Sequence, residues 1–130
     1  MSYTVVNLKE VDDLAPQFGL APNLESRFAK RALELENLGL SYFRIAPGFR
    51  QPFGHRHGEQ EEVYVVVSGS VRMKVEDEIV ELHAWDAIRV PGHMARCPEG
   101  GPNGAELIVV GAPLTESSDA EMLKGWWAAD

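Results

Sequence analysis

Apolar and polar residues alternate along much of this 130-residue chain, and the alternation is that of strands. Val71-Arg72-Met73-Lys74-Val75 places apolar side chains at odd positions, as a half-exposed strand requires, because successive residues of an extended chain face opposite sides. Ile79–His83, Asp86–Val90, Met94–Cys97 and Glu106–Val110 read as further strands. Two apolar-rich segments, Phe28–Leu35 and Leu40–Ile45, flank the hairpin turn Glu36-Asn37-Leu38-Gly39. The run Val63-Tyr64-Val65-Val66-Val67 hardly alternates, which predicts a strand covered on both faces. Turns punctuate the pattern at Pro47-Gly48, Ser68-Gly69-Ser70, Glu76-Asp77-Glu78 and Pro91-Gly92. Pro98–Gly104, with three glycines and two prolines, is expected to be a loop.

Helical signal is confined to the ends. Tyr3–Leu8 reads as a short strand or arm, and Glu10–Gly19 as a short helix interrupted by Pro16 and closed by Gly19. Asp119–Trp127 is expected to form a C-terminal helix with Ser117 or Ser118 as its cap. No helix recurs between strands, so a parallel α/β sheet is excluded in favour of an all-β sandwich or barrel. Length predicts one domain over residues 1–130, with the barrel core at about 28–112.

Composition narrows the partners. A formal net charge of −8 supplies no basic stripe for nucleic acid or for an anionic membrane surface. No apolar run reaches the length of a membrane span, and the N-terminus lacks the basic start and apolar core of a signal peptide. A single cysteine, Cys97, excludes an intrachain disulfide, fits a reducing, cytoplasmic compartment, and by default is a buried, inert thiol. A small-molecule ligand is the partner these observations leave.

Candidate chemistry gathers at residues 48–69. His55 and His57 stand two apart, and the carboxylates Glu61 and Glu62 follow closely. On an extended strand, residues two apart share a face with Cα atoms about 6.5–7 Å apart, so both imidazoles can converge on one metal. A carboxylate from the next strand would add a third ligand; strand parity alone does not choose between Glu61 and Glu62. Tyr64 and Val66 share parity with Glu62 and are expected to face the interior beside it, where Tyr64 is the candidate to donate a proton or hydrogen bond. Arg56, between the histidines, points outward; His83 and His93 read as structural or surface residues.

With these residues the chain resembles the cupins, small double-stranded β-helix (jelly-roll) barrels. Their first motif runs Gly, a short spacer, His-x-His, three or four residues, Glu, six residues, Gly. Gly48, His55, His57, Glu62 and Gly69 match it, with one extra residue before His55, and the spacing to Gly69 selects Glu62. The second motif, Gly-Asp followed after a strand by Pro-x-Gly-x-x-His, is matched by Asp86 and Pro91 but has Trp85 for its glycine and Arg96 for its histidine. The resemblance implies an all-β jelly-roll barrel with short peripheral helices, a divalent Fe, Mn, Ni or Zn ion on His55, His57 and Glu62, and a homodimer. Trp126 and Trp127 suit docking onto the barrel or a subunit interface.

Arg96 divides the expectation. A guanidinium neither ligates a metal nor loses its proton in a protein. In one outcome the metal persists on three protein ligands with open positions, and Arg96 swings aside to bind a substrate anion, as in an oxygenase or isomerase acting on a small polar or acidic molecule. In the other, no metal binds, Arg96 pairs with Glu62, and the barrel is a binding or sensor module whose Arg96 anchors an anionic ligand.

Overall fold

A computed structural model describes residues 2–114 and 119–129. Its strands are β1 (Leu24–Phe28), β2 (Gly39–Ile45), β3 (Phe53–His57), β4 (Glu61–Val75), β5 (Glu78–His83), β6 (Ala87–Val90), β7 (Arg96–Ala112) and β8 (Ala120–Lys124). Every pairing is antiparallel: β1-β2-β7-β3-β8 follow one another, and β4 binds β5, β6 and β7. This curled, all-β arrangement is the expected jelly roll. Short 3₁₀ turns at Leu8–Glu10 and Ala15–Phe18 are its peripheral helices, the second closed by Gly19 at φ 72°. No helix among the described residues is long and apolar enough to cross a membrane.

Alternation explains the core. Tyr64, Val66, Val71 and Met73 of β4 meet Leu82, Val90, Leu107, Val109 and Ile45, all buried. Tyr64 and Val66 therefore face inward as their parity predicts. Polar outward positions are often paired, as where Glu25 of β1 holds both Arg27 and Arg44.

Several expected elements differ. Glu10–Gly19 is not one helix but is split by Asp13, which bridges to Arg27 between the two 3₁₀ turns. The strand expected at Met94–Cys97 begins only at Arg96, where β7 starts. The first apolar segment does not continue as a strand to Leu35: β1 ends at Phe28, and a turn over residues 30–34 follows, with Leu33 N–H donating to Ala29 O at 2.9 Å. Pro98–Gly104 is not a loop but part of the 17-residue β7. Gly69 pairs with Ala105 and Val71 with Gly100, so residues 101–104 bulge opposite Ser70 and bend the strand while it continues. Glycine is required here: Gly69 has φ 73°, and a Cβ on it would lie 2.0 Å from Gly104 O.

Residues 119–127 likewise form no helix. Ala120–Lys124 pairs with β3 as β8, and a turn carries Trp126 and Trp127 onto the barrel. Local helix propensity is a few tenths of a kcal/mol per residue, and strand pairing with burial of the Trp127 indole exceeds it. Trp127 is 2% exposed, with the Arg50 guanidinium 4.1 Å from its ring centre, while Lys74 Nζ lies 4.8 Å from the ring centre of Trp126. The expected caps, Ser117 and Ser118, lie outside the described residues.

A polar latch ties the N-terminal arm to the sheet. Glu106 of β7 accepts hydrogen bonds from Tyr42 Oη at 2.7 Å and Ser68 Oγ at 2.8 Å, and lies 2.9 Å from Lys9 Nζ. The bonds from Tyr42, Lys9 and Ser68 hold its carboxyl at about 2, well below the usual carboxylate range. A carboxylate depressed in the folded state stabilises above its unfolded pKa and loses that contribution as pH falls through the folded one. Glu106→Gln is therefore expected to cost about 1–2 kcal/mol at neutral pH, since solvent screens the partly exposed group. Between about pH 4.5 and 2 the variant should also lose less stability than the parent, read from urea midpoints across that range; parallel pH profiles would contradict the latch.

Candidate metal centre

The site lies where the ends of β3, β4 and β7 meet. His55 and His57 project to the same side of β3, with ring centroids 5.1 Å apart and planes at 90°. Glu62 enters from β4, while Glu61 is exposed and pairs with Arg89. The spacing to Gly69 thus selected the carboxylate that faces the imidazoles. Ligand atoms of His55, His57 and Glu62 all lie within 4.8 Å of one another.

Four groups converge on one oxygen. Glu62 Oε1 accepts from Tyr64 Oη at 2.8 Å and Arg96 Nη2 at 2.9 Å, and faces His55 Nε2 at 3.2 Å and His57 Nε2 at 3.4 Å. Burial alone would raise the Glu62 carboxyl; the facing imidazoles of His55 and His57, the charge of His55 and the bond from Tyr64 hold it far below the usual range. Tyr64 is the reverse case, for burial and the Glu62 charge push its phenol far up, so its proton stays on oxygen.

Arg96 is wholly buried, and each of its three side-chain nitrogens has a protein acceptor. Nη1 donates to the carbonyls of Met94 at 2.7 Å, Gly92 at 3.1 Å and Pro91 at 3.4 Å; Nε donates to Tyr64 Oη at 3.3 Å; Nη2 is the donor to Glu62. Gly92 O also accepts from the His57 backbone N–H at 2.7 Å, so one turn braces both Arg96 and His57. That turn passes close to its neighbour, since a Cβ on Gly92 would sit 2.7 Å from Gln60 O. The swing of Arg96 toward a substrate anion would require all of these bonds to be released.

His57 has a second partner that the sequence did not bring forward. Its Nδ1 lies 2.8 Å from Oδ1 of Asp119, the residue preceding β8. Asp119 Oδ2 accepts from the N–H groups of Glu59 at 2.8 Å and Gln60 at 3.2 Å. Burial would raise the Asp119 carboxyl, but these bonds and His57 hold it at about 2. Burial would lower the His57 imidazolium, and the two carboxylates raise it above its ordinary value. His57 Nε2 is buried and makes no hydrogen bond. Asp119 lies 62 residues from His57 and within an apparent helix, so nothing in the local pattern linked them.

The donor set fits a divalent metal in kind, and its two edges to Glu62 fit in spacing. Ligands at about 2.0–2.2 Å from a metal lie about 3.0–3.5 Å from each other in octahedral or tetrahedral geometry. The contacts of 3.2 and 3.4 Å from Glu62 Oε1 to the two imidazoles are edges of that size. The orphaned Nε2 of His57 is the buried polar atom such an ion would satisfy.

Other expectations fall outside this cluster. His83 and His93 are exposed, and Arg56 points outward to Glu121. Cys97 is buried and its thiol is pushed up to about 12, chiefly by burial, so it is inert as expected. Trp85, in place of the second motif's glycine, retains the left-handed backbone at φ 72° and is 75% exposed. His55, at 21% exposure against 9% and 13% for His57 and Glu62, is the member of the cluster that a ligand reaches first.

No curated protein matches the chain in sequence. Solved structures do match in fold. KdgF from Halomonas sp. is 17% identical at a TM-score of 0.70, covering 89% of this chain and 97% of that one. A sugar phosphate isomerase from Silicibacter pomeroyi is 16% identical at 0.69, covering 92% of each chain. A Streptomyces PAC13 variant with uridine is 16% identical at 0.74, covering 95% and 93%. At these identities the likeness is one of fold. The family model for the cupin domain matches residues 41–110, more than half of the sequence and both motif regions, and the chain belongs to the cupin family.

Proposed function

We propose that this cupin binds a divalent metal ion on His55, His57 and Glu62 and acts on a small polar or acidic molecule, in the manner of a metal-dependent isomerase or oxygenase. The observation that carries the reading is the buried Nε2 of His57, which faces the Glu62 carboxylate 3.4 Å away without a hydrogen bond. With His57 neutral and its proton on Nδ1, these two electron-rich atoms repel unless a cation lies between them. A bound divalent ion would supply Lewis acidity toward an oxygen of the ligand, with open positions beyond its three protein ligands. Tyr64, its proton retained, is assigned the hydrogen bond or proton to that ligand, at the cost of its present bond to Glu62. In this reading Arg96 holds Glu62 and Tyr64 in position, and it serves as an anion anchor only where a ligand displaces Glu62 from its Nη2. Names of proteins with this fold, a sugar phosphate isomerase and a uridine complex, support a small polar ligand.

A second reading rests on the Arg96–Glu62 ion pair. With His57 protonated, Arg96 and His57 balance Glu62 and Asp119, and the cluster needs no further cation. The chain is then a metal-free binding or sensor module for an anionic ligand. Cytoplasmic residence and a homodimer complete the proposal; exposed Phe18, Ile79, Trp85 and Met122 offer apolar contact area.

Elemental analysis of untagged protein separates the two readings. The first expects about one metal per chain in the parent and none in His55→Ala/His57→Ala; a parent empty even after incubation with Fe, Mn, Ni and Zn under reducing conditions leaves only the second. Arg96→Met strands a buried carboxylate and is expected to cost about 3–5 kcal/mol in urea unfolding, with much of the loss recovered in Glu62→Gln/Arg96→Met. Equal stability of the single variant and the parent would refute the assigned role of Arg96. Light scattering during size exclusion should give twice the chain mass, and a monomer would remove the dimer.

A further inference from the structure

We infer that Asp119 is a positioning residue of the site: it fixes His57 with the proton on Nδ1 and the lone pair of Nε2 turned toward Glu62. The inference deepens the proposed metal site, and its core, the orientation of His57, stands on geometry alone. An ionised carboxylate only accepts hydrogen bonds, so a contact of 2.8 Å between Oδ1 and Nδ1 requires the proton on Nδ1. Neutral His57 then presents a bare Nε2 to Glu62 Oε1 and, in the metal reading, to the ion. An anionic partner on the far nitrogen also raises the basicity of the ligating one.

Asp119 is itself held from two sides. Its other oxygen is pinned by the N–H groups of Glu59 and Gln60, in the turn between β3 and β4 that separates the histidines from Glu62. A methyl group at Gly58 would sit 3.6 Å from Oδ2, so the turn already packs against the carboxylate. Behind it, β8 pairs with β3 from His57↔Ala120 to Phe53↔Lys124, and Trp127 anchors the following turn under Arg50. The C-terminal strand, outside the residues matched by the family model, thereby contributes a working part of the site.

Two-bond proton–nitrogen NMR spectra of the metal-free protein at alkaline pH, and Zn2+ affinity by chelator competition, test this on the parent, Asp119→Ala and Asp119→Asn. The parent should show His57 as the Nδ1–H tautomer. Asp119→Ala should shift it toward Nε2–H, and Asp119→Asn, whose amide oxygen still accepts, should retain Nδ1–H. Zn2+ affinity should fall about 10–100-fold in Asp119→Ala and by less in Asp119→Asn. An unchanged tautomer in Asp119→Ala, or undiminished affinity in a protein whose parent binds Zn2+, overturns the inference. A parent that takes up no Zn2+ counts against the metal site, and the tautomer comparison still decides the role of Asp119.

Discussion

A fully buried guanidinium must be neutralised and have its donors satisfied where it stands, because leaving a charge unpaired away from water costs several kcal/mol. Arg96 meets that demand with Glu62, Tyr64 and three carbonyls of residues 91–94. Its backbone also stands in register with Val75 of β4 and His55 of β3, so one residue joins the seam of the barrel to the floor of the site. Glu62, the tyrosine beside it and the 91–94 turn, brought together by the pairing of β4 and β7, all serve to pair this charge.

The same constraint shapes the chemistry. A carboxylate oxygen that accepts from both Arg96 and Tyr64 is rigid and electron-poor compared with one that faces only imidazoles. The fourth protein position of the site is a cation rather than a ligand. Any metal held here would therefore sit on three protein donors, beside a fixed positive charge that favours anionic groups in the remaining positions.

Opposite Arg96, the C-terminal segment closes the far side of β3. Its strand adds backbone pairing, its indoles stack on Arg50 and Lys74, and its first described residue bonds to His57. Stability of the tail and orientation of a site histidine are thereby linked, since Asp119 keeps its place only while β8 stays paired.

Strand class and the shared parity of Glu62, Tyr64 and Val66 were legible in the residue order, because a period of two is a local property. The grouping of His55, His57 and Glu62 was legible through the spacing of the motif the chain resembles. Tertiary structure decided the rest. The glycine-rich stretch at residues 98–104 continues as a strand because β4 pairs on either side of its bulge. Residues 119–127 form a strand and turn because β3 offers an edge and the barrel offers a seat for Trp127, forces that exceed helix propensity. Whether Arg96 would face a ligand or the protein depended on which acceptors surrounded it, and those come from β4 and from the turn at 91–94. Asp119 became visible only in three dimensions, for no local period connects a residue before β8 with a histidine on β3.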